Sequence, residues 1–73
     1  MTPDTLRHVG EALFGPRWQA ALADELGVTR RTVSGWAAGD YAIPASVQAD
    51  LKRILLERAE TIVAAYRELE ADR

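Results

Sequence analysis

Apolar residues return along this chain every three or four positions, and no stretch alternates apolar and polar residues over a useful strand length. That periodicity is helical throughout. Leu6, Val9, Leu13 and Phe14 share one face of a first helix. Thr2-Pro3-Asp4 announces it with a hydroxyl N-cap, a proline suited to the first helical position and an acid at the positive end of the dipole. Gly15-Pro16 stops it. A second helix is expected from about Arg17 to Leu26, with Trp18, Leu22 and Leu26 as its inner stripe. Gly27 follows where a left-handed turn residue would sit. Thr29 then caps a third helix, from Arg30 to about Ala38, which Gly39-Asp40 closes. After the loop DYAI and Pro44, the apolar positions are Val47, Leu51, Ile54, Leu55, Ile62, Val63, Tyr66 and Leu69. No Gly or Pro interrupts residues 45–73, which fit one long helix or two helices with a bend near Leu56–Arg58. There is no internal repeat and no low-complexity linker.

Composition narrows the class. The chain of 73 residues reads as one domain, residues 1–73, near the lower size limit for folding alone. A chain this short buries only roughly 60% of its unfolded surface, so a partner subunit would help it. Apolar content of 48% and charged content of 27% describe a globular sequence. With no cysteine there is no disulfide framework and no cysteine-containing zinc site. His8 is the only histidine, and its place on the first helix reads as an ordinary surface or half-buried side chain. No apolar run approaches the ~20 residues of a membrane span. The N-terminus lacks the basic and apolar regions of a signal peptide, so a cytoplasmic location is expected. Neither a phosphate-binding glycine loop, nor paired-carboxylate chemistry, nor a metal motif is present, and Ser34 has no base at a recognisable spacing. The expectation is a non-enzyme without cofactor or metal.

The stretch between the second and third helices carries more information. Gln19, Ala23, Gly27, Val33, Trp36 and Gly39 fall at positions 1, 5, 9, 15, 18 and 21 of one segment. Ala23 is small where the third helix must cross close to the second. Gly27 permits positive φ in the turn, and Val33 and Trp36 form the inward face of the third helix. Two short helices joined by a glycine turn make the pattern of a helix-turn-helix, here spanning residues 17–39. QAALADELGVTRRTVSGWAAG resembles the helix-turn-helix of the phage repressor and Cro-like (XRE) DNA-binding proteins. The resemblance is tight over Gln19–Gly39 and looser over residues 4–55. It implies an all-α, lambda-repressor-like DNA-binding domain of four or five helices, followed here by a long C-terminal helix. The overall shape also looks like that of small bacterial or phage regulators.

The resemblance implies roles. Gln19 opens the second helix and holds a DNA phosphate, and the third helix lies in the major groove. Projection at 100° per residue puts Val33, Trp36 and Ala37 on one side of that helix and Arg31, Ser34, Gly35 and Ala38 on the other, flanked by Arg30 and Thr32. The expected base-reading set is therefore Arg30, Arg31, Thr32, Ser34 and Gly35. Arg31 leads it, because arginine grips guanine O6 and N7 bidentately. At Gly35, either the helix approaches DNA closely or nothing contacts the position. The expected phosphate set is Arg17, Trp18, Gln19, Thr29 and Tyr41. Trp18 enters it as a core or lid residue whose indole N–H reaches a phosphate. The family pattern often places basic residues in the loop after the third helix, whereas this loop reads DYAIP. Tyr41 and backbone N–H groups then take that task, with Arg17 compensating.

Charge does not oppose such a partner. The net charge is −2, and residues 57–73, with five acids and three bases, account for it. Residues 26–39 hold two arginines and no acid. A local positive face suffices for docking, although one copy with few cations binds weakly. A two-fold dimer on a palindrome is the natural expectation, with Ile62, Val63, Tyr66 and Leu69 as its interface. The other destination of that stripe is the protein's own core. The function expected is that of a regulator, most plausibly a repressor, on double-stranded operator DNA, without a membrane or small-molecule substrate. The alternative is a helical protein-interaction module or antitoxin-like partner with little DNA binding, which Asp40 and the low cation count favour.

Overall fold

The computed structural model describes residues 1–72 and is built from α-helices, with no strand among the described residues. Four α-helices follow one another: α1 (Pro3–Phe14), α2 (Trp18–Leu26), α3 (Arg30–Ala38) and α4 (Ala45–Ala71). A 3-10 turn, Gly15–Arg17, joins the first two. The second helix thus starts one residue later than its pattern indicated, because Gly15-Pro16-Arg17 forms this turn of its own. None of these helices is long and apolar enough to cross a membrane.

Local chemistry explains the boundaries. Thr2 Oγ1 accepts a hydrogen bond from the Thr5 amide at 3.1 Å, and Thr29 Oγ1 does the same for Thr32 at 3.1 Å. Each cap satisfies one of the amides that a helix start leaves without an intrahelical partner. Gly27 and Gly39, at φ 69° and 79°, end α2 and α3 in the left-handed conformation that a side chain would disfavour. Their amides bond back to Ala23 and Asp24, and to Gly35 and Trp36.

The core is a single cluster of Leu6, Trp18, Leu22, Ala23, Val33, Trp36, Val47 and Leu51, and every helix contributes to it. Leu6, Leu22 and Val33 are fully buried at its centre. Ile54 closes its edge, and Val9, Leu13, Phe14, Leu26, Ala37 and Ile43 pack around it. Gly10 is buried on α1 because the Trp18 indole lies flat against it. A Cβ there would stand 2.6 Å from Trp18 Cδ2 and closer still to Cε3.

The long segment is one unbroken helix of 27 residues. At 1.5 Å per residue it measures about 40 Å. Its first third packs on the body through Val47, Leu51 and Ile54. From Leu56 onward every described residue is exposed, so the apolar stripe does not fold back on the core. The molecule is correspondingly elongated, at 51 × 22 × 21 Å.

The Gly10–Trp18 contact yields a stability prediction. Gly10→Ala would gain about 1 kcal/mol of helix propensity. It also drives a methyl into the near end of a buried indole, an overpacking that costs about 1–3 kcal/mol. Urea unfolding is expected to show a net loss of stability; an unchanged or raised midpoint would refute this packing.

Candidate functional site

Helices α2 and α3 present their N-termini side by side. Arg17, Gln19 and Arg30 line one shallow open cleft there, with Pro16 and Ala20 as its floor and rim. The structure thus brings together residues eleven or more positions apart in sequence. Two helix N-termini carry partial positive charge, so the cleft is suited to an anion before any side chain is counted. The only ion pairs among the described residues are Arg7–Asp4 and Arg53–Glu57. Arg17, Arg30 and Arg31 therefore carry no carboxylate partner among the described residues. Their guanidinium donors remain open to an outside acceptor.

One hydrogen bond ties the two helices at this cleft. Ser34 Oγ donates to Gln19 Oε1 at 2.7 Å. The Ser34 proton is thereby used inside the protein, and the hydroxyl keeps only acceptor capacity for a ligand. The same bond orients the Gln19 amide, leaving its NH2 end without a protein partner among the described residues. An NH2 group donates, so that end complements an anion. Thr29 and Thr32 are also linked, Oγ1 to Oγ1, at 2.9 Å. With the capping bond, this makes Thr29 first a structural residue, and it half-buries Thr32 on the flank of α3. Arg30 and Arg31 are exposed at the start of α3.

One sequence expectation is borne out here and one is corrected. Trp18 is the core residue that its pattern indicated, 5% exposed and held against Gly10, and its indole N–H has no hydrogen-bond partner among the described residues and is not sealed from solvent. Gly35 was expected to face a ligand directly or to contact nothing. Instead it is buried beneath the Tyr41 ring, where a Cβ would lie 2.6 Å from Tyr41 Cε1 and closer still to Cζ and the hydroxyl. The Tyr41 hydroxyl donates to the Arg31 carbonyl at 3.1 Å. Tyr41 therefore lies along the outer face of α3, between Arg31 and Gly35, and is 48% exposed itself. What the chain presents at position 35 is a phenol ring borrowed from the following loop.

Far from the cleft, Leu56, Ile62, Val63, Tyr66 and Leu69 expose 62%, 62%, 45%, 62% and 74% of their surface. No cluster of His, Asp or Glu able to hold a metal ion is present among the described residues. Comparison of the chain with family models, with curated proteins and with solved structures finds no match.

Sequence reading did not find Gly10 or the Gly35–Tyr41 pair. The signal for Gly10 was there: it stands four residues after Leu6 and four before Phe14, inside the apolar face of a helix. No comparable signal marks Tyr41, because a loop tyrosine has no periodicity to reveal where its ring comes to rest.

The two buried glycines should respond in opposite ways to a methyl group. At Gly35 the obstacle is the far end of a half-exposed ring, which can swing aside. Gly35→Ala should leave stability unchanged or raise it by up to about 1 kcal/mol through helix propensity. NMR should show the Tyr41 ring resonances moved toward solvent-exposed values. A loss of stability as large as that of Gly10→Ala would show that Tyr41 is locked in place.

Proposed function

We propose that the protein is a sequence-specific, double-stranded DNA-binding transcriptional regulator of the helix-turn-helix class, acting as a repressor in homodimeric form. The observation that carries this reading is the cleft where Arg17, Gln19 and Arg30 meet at two helix N-termini, beside the unpaired Arg31. The cleft matches a phosphate in charge and in the donor groups that line it. In this reading α3 enters the major groove, with Arg31 as the leading base reader and Arg30, Thr32 and Ser34 beside it. Arg17, Gln19, Thr29 and Tyr41 position the duplex through its backbone. Gly35, covered by Tyr41, drops out of the interface, and the Trp18 indole N–H stays open to a phosphate. The resemblance of Gln19–Gly39 to phage repressor and Cro-like proteins supports the same reading, as does the close packing of α2 on α3 around the Gly27 turn.

A second reading rests on Asp40, which puts an acid rather than a cation in the loop after α3. A helical protein-interaction module would keep this fold without binding DNA.

Selection of bound duplexes from a random pool at low salt separates the two. Enrichment of an inverted repeat is expected, with affinity falling as salt rises. Arg31→Ala should then lose about 1–3 kcal/mol of discrimination at one or two base positions. Gln19→Ala should weaken binding about equally on every sequence. Recovery of no duplex at low salt defeats the regulator reading and leaves the interaction module.

A further inference from the structure

The overhang of α4 carries a seam more ordered than an apolar stripe. Leu55, Ala59, Ile62, Tyr66 and Leu69 are spaced four, three, four and three apart, which is the spacing of a coiled-coil interface. At 100° per residue, their mean direction is turned by roughly 80° from the face that Val47, Leu51 and Ile54 apply to the body. The body half-covers only Leu55 at the near end of the seam, and Ile62, Tyr66 and Leu69 are more than half exposed.

We propose that α4 pairs antiparallel with α4 of a second copy, with the two-fold axis passing near Ala64. This deepens the homodimer of the proposed function and does not depend on the DNA ligand. In this register Ala59 lies opposite Leu69 of the second copy, and Ile62 opposite Tyr66, so each seam layer sets a smaller residue against a larger one. Val63 meets its own twin beside the axis. Arg58 lies opposite Asp72, and two-fold symmetry makes that pair twice. Arg58 already projects from α4 toward the body, 5.6 Å from the Phe14 ring centroid, so Asp72 of the second copy approaches it there.

A parallel pair has no such complement. It sets Arg58 against Val63 and Ala65 against Glu70, and it lays the two acid-rich ends side by side. The helix dipoles also oppose one another only in the antiparallel arrangement. A slip of one heptad toward the body sets Leu69 against Lys52, which selects the register. The buried area is on the order of 1,000 Å² over both copies, at the threshold for a specific interface.

Orientation has a measurable consequence. Lys52 and its twin would be about 36 Å apart along the helices, against roughly 10 Å for a parallel pair.

The chain has no cysteine, so Lys52→Cys supplies a unique labelling site at an exposed position. Sedimentation at up to about 100 µM should show a dimer. Pulsed electron spin resonance on the nitroxide-labelled protein should give a distance near 36 Å. Ile62→Asp should abolish the dimer yet leave the fold intact, with the wild-type unfolding midpoint at concentrations where both proteins are monomeric, because nothing beyond Leu55 is buried in the single chain. Arg58→Asp should weaken the dimer about five-fold, and Arg58→Asp with Asp72→Arg should restore it. A monomer at every concentration overturns the pairing, and so does a dimer with a distance below about 20 Å. Duplex selection reads the regulator separately: a monomer that still selects a duplex refutes the pairing alone. An antiparallel dimer that selects none refutes the regulator alone.

Discussion

The Trp18 indole rests in the notch that Gly10 leaves on α1, and the arrangement of the body follows from that contact. Trp18 is the first residue of α2, so the contact fixes where that helix begins and which way it leaves the Gly15–Arg17 turn. Leu22 and Ala23 then fall into the core one turn further on, with Val33 and Trp36 of α3 beside them. Close packing transmits such a placement, because an interior at crystal-like density has little slack to absorb a shift. Arg17 and Gln19 flank Trp18 on the chain, so the same contact sets the two residues that shape the cleft.

On the surface above that core, hydrogen bonds refine what packing has positioned. The Ser34–Gln19 bond links α3 to the start of α2 and decides which end of the Gln19 amide is free. Tyr41 reaches back to the Arg31 carbonyl and roofs Gly35. Both contacts tie the outer face of α3 to something outside α3. In a DNA-reading role, the chemistry offered to the groove would then be shared between helix and loop. The cations are few, and their value lies in being unpaired and gathered at two helix starts. In that role, affinity from one copy would be modest, and pairing through the exposed overhang of α4 would offset it.

Much of this was legible along the chain. The three short helices, the threonine caps of α1 and α3 and the glycine turns follow from residue types whose preferences are local, acting over three or four positions. The inward assignment of Leu6, Leu22, Val33 and Trp36 follows from period alone. The exposed arginines at the start of α3 were equally readable. Position 35 was not: a glycine inside a helix signals that something comes close, without saying whether it is a ligand, a partner or the protein itself. Trp18 was ambiguous for a related reason, since an amphipathic ring at a helix start suits either a core or an interface.

By itself, then, the sequence determined the all-helical character, the element boundaries to within a residue or so, and the faces that turn inward. Those depend on neighbours in the chain and on hydrophobic period. Only the tertiary structure decided that residues 45–71 form a single rod, that the apolar side chains of that rod from Leu56 onward stay outside the core, and that Tyr41 covers Gly35. The physical reason is the same in each case. Whether an apolar surface finds cover depends on which distant segments reach it, and the body formed by α1, α2 and α3 is too small to bury any residue of α4 past Leu55.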